Sequence, residues 1–147
     1  MEVPVRCLWR HSTVSSVQLN HTIVHARDNR ASAEFLAHIL DLETGTEWGP
    51  FIPVDTANGV TLDFATVDEK SITPQHYAFL VPEDDFDGIF GRIKDAGVDF
   101  FGDPHGKLPG RINHNYGGRG VYFLDPSGHY LEVITQPYGN VVTDAAE

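Results

Sequence analysis

The sequence has little of what stabilises disulfide-rich or membrane-anchored proteins. It holds one cysteine, Cys7, in 147 residues, which excludes an internal disulfide framework. No run approaches the roughly 18 consecutive apolar residues of a membrane-spanning helix, and the first residues lack the apolar segment of a secretory signal. We therefore expect a cytoplasmic protein without a membrane partner, in which Cys7 is a solvent-accessible thiol of a leading extension.

Positive charge is also scarce. Ten Lys and Arg residues stand against 21 Asp and Glu residues, a formal net charge of −11. Because this sign is repelled by phosphate backbones and anionic lipids, we predict no nucleic-acid partner. A chain of this length with 41% hydrophobic residues can form one domain around its own core. A metal bound to it would therefore serve function rather than folding.

What the sequence does contain is an internal repeat. Residues 17–67 and 75–137 each read as a strand, a helix and then two or three strands. An N-terminal extension, 1–16, and a C-terminal tail, 138–147, flank this single two-module domain. Each half would be only marginally stable alone, so we expect the two sheets to be built against one another or against a second chain. The predicted fold class is α+β.

The helices of the repeat are indicated by apolar residues at helical spacing. Asp28 is a capping residue before the first helix, and Gly97 is a stop signal after the second. The apolar positions are Phe35, Leu36, Ile39 and Leu40 in the first helix, and Phe86, Ile89, Phe90, Ile93 and Ala96 in the second. A glycine- and proline-containing stretch, 102–118, is too long for a plain connection and is predicted to be a functional loop over a site.

Superposing the two halves aligns four polar residues in pairs. His21 and His76 take the same position of the opening strands, and Asp63 and Glu132 the same position of the last strands. Each interrupts an apolar, strand-like run, where a polar side chain needs a partner. If the pairs converge, two imidazoles and one or two carboxylates provide the donors that divalent first-row metals bind. The pattern therefore predicts a metal site with positions open for substrate.

Plainer interpretations of the same residues stay open. Taken singly, each histidine is as compatible with a hydrogen-bonded histidine of the core or a sheet edge, and Asp63 with a solvent-facing edge position. Glu132 is more informative, because a buried acid between Leu131 and Val133 must be paired, coordinated or protonated.

The segments LNHTIV, QHYAFLV and YFLDPSGHYLEVIT resemble the vicinal oxygen chelate superfamily, which includes glyoxalase I, fosfomycin-resistance transferases, extradiol dioxygenases and bleomycin-resistance proteins. The likeness spans 17–137. It implies two βαβββ modules forming a cleft-bearing mixed β-sheet, usually within a homodimer, around one divalent metal ion per site (Fe, Mn, Ni, Co or Zn). By position it implies that His21, His76 and Glu132 are metal ligands. Asp63 stands where glyoxalase I-like members supply a fourth ligand, normally Glu.

Three residues are candidate proton acceptors: Asp63, Tyr130 and His114. Tyr130 is two residues from Glu132 and shares its strand face, although an ordinary packed tyrosine fits equally well. His114 lies in the predicted functional loop, where a solvated histidine is the alternative. Arg119 suits either an anionic substrate or a surface ion pair.

Three functions for a protein with a small-molecule substrate follow from the resemblance. The first is a metal-dependent lyase, isomerase or transferase, and the second an Fe(II) dioxygenase that needs two histidines and one carboxylate. The third is a bleomycin-resistance type module that sequesters a drug-like molecule without turnover. The stretch GGRG stands where fosfomycin transferases carry a serine-containing potassium loop, which argues against fosfomycin as substrate.

Overall fold

The computed structural model describes residues 16–139. Cys7, nearly all of the predicted N-terminal extension and residues 140–147 of the predicted tail lie outside this range. Within it, seven strands and two α-helices follow one another in the order that the repeat predicts. They are β1 His21–Ala26, α1 Asn29–Leu40, β2 Phe51–Asp55, β3 Thr61–Thr66, β4 His76–Leu80, α2 Glu83–Asp95, β5 Phe100–Phe101, β6 Gly120–Leu124 and β7 Tyr130–Ile134.

The strands form one mixed sheet per module. The first has the order β1-β3-β2 and the second β4-β7-β6-β5, with β1 parallel to β3 and β4 parallel to β7. This confirms the predicted α+β fold of two modules. In the first module the counterpart of β5 is a single bridge between Thr44 and Val54. Pro53 has no N–H to donate on that edge of β2, so a regular strand cannot form beside it.

Both helices pack on one face of the sheets and close a common core. Asp28 accepts a hydrogen bond from the Ala31 N–H at 3.1 Å, which confirms it as the cap of α1. Gly97 follows α2 with φ +69°, a left-handed conformation that favours glycine. Ala96 is exposed at the end of α2 rather than part of its apolar face, because the buried face ends at Ile93. No helix among residues 16–139 is long and apolar enough to cross a membrane.

The opposite face of each sheet carries the polar residues that interrupt the apolar strands. On β3, Asp63 lies between the core residues Leu62 and Phe64, and on β7 Glu132 lies between two core residues in the same way. Because side chains alternate along a strand, both carboxylates point away from the helices.

The turn between β6 and β7 joins the two modules. His129 in this turn is buried, accepts the Gln75 N–H at its Nδ1 (3.0 Å), and donates from Nε2 to the His25 carbonyl (2.7 Å). Ser127 Oγ accepts the Arg27 N–H at 3.1 Å. The DPSGH segment therefore fastens β1 of the first module to the start of the strands that carry His76 and Glu132.

Candidate metal centre

Strand register places the four aligned residues at matching positions of the two sheets. His21 on β1 lies opposite the residue that comes two before Asp63 on β3. His76 on β4 lies opposite the residue that comes two before Glu132 on β7. Each histidine therefore shares a sheet face with its carboxylate, on the side away from the helices.

In the second module the histidine and the carboxylate are in contact. Glu132 is 1% exposed, and its Oε1 lies 3.0 Å from Nε2 of the more exposed His76. The His76 ring is stacked on Tyr122, with 6.1 Å between ring centroids. The His76 imidazole thus contacts both the buried Glu132 carboxylate and the solvent.

The other oxygen of Glu132 is also engaged. The Tyr138 hydroxyl donates to Glu132 Oε2, and it lies 2.6 Å from the Tyr122 hydroxyl. Burial raises the pKa of Tyr122, and burial followed by the hydrogen bond to Glu132 raises the pKa of Tyr138, so both hydroxyls keep their protons. We call His76, Glu132, Tyr122 and Tyr138 the Glu132 half-site. The sequence pattern does not identify Tyr138 as a site residue, because its local signal is only its place in the turn Pro-Tyr-Gly after β7.

The first module offers an incomplete counterpart, His21 and Asp63, which we call the Asp63 half-site. His21 is exposed, with its Nδ1 2.8 Å from Asn20 Oδ1. Asp63 is 3% exposed, and its buried Oδ1 has no hydrogen-bond partner in the part of the chain that the structure describes. Among residues 16–139, no three His, Cys, Asp or Glu side chains come close enough to hold a metal ion. A single copy of the chain therefore keeps the two half-sites apart.

The donors of the two half-sites nevertheless fit a divalent metal. A buried carboxylate oxygen without a partner, as in Asp63, is costly unless a cation or donor reaches it. Glu132 and His76 already bring together the carboxylate and imidazole groups that first-row metals bind. These carboxylate and imidazole groups suit first-row metals in general and do not specify one ion.

A cavity of about 570 Å³ adjoins the Glu132 half-site, a volume typical of sites for small organic molecules. His76, Tyr122 and Tyr130 form part of its wall, and the first part of the predicted functional loop, around Asp103 and His105, forms another. Its lining residues include aromatic side chains but neither lysine nor arginine. The cavity therefore suits a flat, mainly apolar molecule better than one with a phosphonate group.

Two other predicted residues lie elsewhere. His114 is exposed at the start of a short 3-10 helix and does not line the cavity, so its role as proton acceptor stays a prediction without support from its position. Arg119 pairs with Glu83 and Asp87, at 2.6 Å each, and therefore forms the ion pair rather than a free anion-binding group.

The GGRG stretch is tightly packed. A Cβ atom on Gly118 would lie 2.5 Å from Thr135 Oγ1, and one on Gly120 would lie 2.9 Å from the Asn113 side chain. Gly118 has no room for the serine of a potassium-binding loop, whereas a side chain at Gly120 would require the end of the Asn113 side chain to move.

Residues 18–133 match the family model of the Glyoxalase/Bleomycin resistance protein/Dioxygenase superfamily. The chain belongs to this superfamily. The family inferred from the three sequence segments is thereby confirmed.

Three known proteins are similar to this chain in sequence or in fold. The structure of oxidase ChaP-H2 is 62% identical, with a TM-score of 0.83, and the match covers 85% of this chain and 98% of that one. Glutathione transferase FosA of Serratia marcescens is 30% identical over 122 residues, covering 78% of each chain. A point mutant of the Listeria monocytogenes fosfomycin resistance protein FosX, in complex with Mn(II) and 1S,2S-dihydroxypropylphosphonic acid, shares the fold at 23% identity. Its TM-score is 0.63, and the match covers 85% of this chain and 94% of that one. The two matches at 30% identity or more are to enzymes, an oxidase and a transferase, whereas the FosX match shows the fold alone.

Proposed function

We propose that this protein is a divalent-metal-dependent oxidative enzyme whose substrate is a small aromatic or enolic molecule with neighbouring oxygens. The observation that carries the proposal is the contact between the buried Glu132 carboxylate and His76 in the wall of an aromatic-lined cavity. The 62% identity to an oxidase over 98% of that chain supports the oxidative class, and iron is then the preferred metal.

We infer that the metal centre is completed by a second copy of the chain. His76 and Glu132 of one copy would hold the metal together with His21 of the other, with Asp63 beside it. This arrangement supplies two histidines and one carboxylate, the set used by non-haem iron oxygenases. It is supported by the isolation of the Asp63 half-site within one chain and by large apolar side chains on the same sheet faces, Ile23 at 48% and Leu80 at 60% exposed. The protein would then be a homodimer.

The chain's own residues would perform distinct tasks around that centre. When bound, the metal supplies a Lewis acid that polarises and orients the substrate oxygens. The rings of Phe101 and Tyr122 exclude water and align a flat substrate beside His76. Tyr130, in the same wall and 47% exposed, would serve as a proton acceptor for the substrate. The cytoplasmic location stays a prediction from the sequence.

A transferase of the fosfomycin-resistance type is the second candidate, because FosA matches at 30% identity over most of its length. Two observations weigh against it. The cavity lining has neither lysine nor arginine to pair with a phosphonate, and Arg119 is occupied by two carboxylates. The third candidate is a module that binds a drug-like molecule without turnover.

The test begins with tag-free protein purified anaerobically, since a polyhistidine tag would itself bind metal. We expect about one metal ion per chain, lost in His76→Ala and in Glu132→Ala, and retained in the control His38→Ala. His38 is an exposed histidine of α1 and belongs to neither half-site. With dihydroxyarenes as probes, oxygen uptake should occur with Fe(II) and not with Zn(II).

The alternatives give different results. Addition of a thiol to fosfomycin by Mn(II)-loaded protein, without oxygen uptake on any dihydroxyarene, would assign the chain to the transferases. A folded wild-type protein that binds no metal would leave only the binding module.

A further inference from the structure

The two oxygens of the Glu132 carboxylate have different surroundings. Oε1 lies beside His76 Nε2 at 3.0 Å and faces the site, whereas Oε2 accepts the hydroxyl hydrogen of Tyr138. A carboxylate with two free oxygens can bind a metal through one of them or through both. Here one of the two is already engaged by a neutral donor.

Tyr138 is held in place from several sides. It lies in the turn that follows β7, where Pro137 restricts the backbone and Gly139 adopts φ +74°, and this turn brings the residue back over the sheet. Its hydroxyl lies 2.6 Å from that of Tyr122, and its ring packs on Tyr116 with 5.2 Å between centroids. Tyr138 is 51% exposed as a residue, yet its hydroxyl reaches a carboxylate that is 1% exposed.

We propose that Tyr138 is a positioning residue that keeps Oε2 occupied, so that Glu132 offers Oε1 alone to the metal. The proposal rests on the function proposed above. Its consequence is a low ligand count from the protein, because a carboxylate that binds through one oxygen leaves one more position for the substrate oxygens. Groups that hold metal ligands in this way affect metal affinity about 10- to 100-fold when they are removed.

The chain offers a matched control for this role. Tyr138→Phe removes the hydroxyl that bonds Glu132 and leaves the ring packing on Tyr116 unchanged. Tyr116→Phe removes a hydroxyl from the same ring pair, and that hydroxyl makes no hydrogen bond within residues 16–139. The two variants thus differ in the bond to the carboxylate and share the loss of one oxygen atom.

The experiment titrates each protein with Co(II) alone and records its visible absorption, which changes with coordination number. Tyr138→Phe should bind Co(II) about 10-fold more weakly or worse, because Glu132 is no longer held in position. Its visible bands should also be weaker, because the released second oxygen of Glu132 raises the coordination number of the metal. Tyr116→Phe should match wild type in both respects, and Tyr122→Phe should lie between the two. Thermal unfolding of the metal-free proteins shows whether each variant is folded.

Three results would overturn the inference. One is a Tyr138→Phe variant with the affinity and spectrum of wild type, and another is a loss of affinity with an unchanged spectrum. The third is an equal loss in Tyr116→Phe, which would indicate general packing rather than a bond to Glu132. Folded wild-type protein that fails to bind Co(II) would overturn the proposed function as well, so the two failures are distinguishable.

Discussion

The two modules share a strand plan but treat their buried carboxylates differently. On the neighbouring antiparallel strand, Glu132 lies opposite Tyr122 and Asp63 lies opposite Pro53. The tyrosine hydroxyl belongs to the chain of hydrogen bonds that ends on Glu132, through Tyr138. The proline ring offers no donor, and Asp63 Oδ1 stays without a partner among the described residues. One half-site is thus satisfied within the chain and the other is not.

This difference shows that a repeat can preserve the position of a ligand and yet change its surroundings. His21 and His76 occupy matching positions, but His76 contacts a carboxylate whereas His21 reaches only the adjacent Asn20. An unsatisfied buried carboxylate is a cost that a single copy of the chain bears. A metal held between the unlike half-sites of two copies would remove that cost, which is the arrangement we propose.

The largest expected effect comes from breaking the two half-sites in different chains. His21→Ala and His76→Ala should each abolish metal binding. The two variants are then mixed in equal amounts, unfolded and refolded together. Half of the resulting dimers contain one copy of each variant, and each of these mixed dimers has one intact site out of two. About one quarter of the wild-type metal content should therefore return. Elemental analysis of the refolded mixture measures this.

The control for that experiment refolds each variant alone, where no metal should return. A mixture that stays as empty as its components would show that His21 and His76 serve the same chain, or that His21 is not a ligand. Either result would reject the shared site.

The next effect concerns the contact that joins the modules. His129→Ala leaves the Gln75 N–H and the His25 carbonyl without their partner and opens a void in a buried turn. We expect the free energy of unfolding to fall by about 3 kcal/mol, measured by urea denaturation. The exposed His38→Ala should change it by less than about 0.5 kcal/mol. If His129→Ala behaves like His38→Ala, the two modules do not depend on this turn.

Sequence patterns sufficed for the architecture because its signals are local. Apolar periodicity located both helices, Asp28 marked a helix start, and the aligned strands put Asp63 and Glu132 at equivalent positions that the register confirms. The contact between His76 and Glu132 follows from the same alternation along neighbouring strands.

Contacts between distant parts of the chain gave no such signal. His129 bonds a carbonyl 104 residues away, and nothing in the turn sequence states which strand it reaches. Tyr138 lies at the edge of the predicted tail, and its bond to Glu132 depends on a turn that periodicity does not describe. The length of the loop predicts a role for His114, but a loop's length does not determine which of its residues face the cavity, and His105 lines it instead.

The smallest expected effect concerns Asp63, the carboxylate of the incomplete half-site in the first module. Asp63→Asn keeps the shape of the side chain and removes a buried negative charge that has no hydrogen-bond partner at Oδ1. The metal-free protein should therefore become more stable by about 1 kcal/mol in urea denaturation. If Asp63 lies beside the metal of a second copy, the same variant should bind Co(II) about 10-fold more weakly.

Glu132→Gln gives the contrast, because Glu132 is hydrogen-bonded at both oxygens and its replacement should not stabilise the metal-free protein. Equal responses of the two variants would mean that the modules treat their carboxylates alike. Opposite responses would show that Asp63 is kept for the bound state, at the expense of the isolated chain.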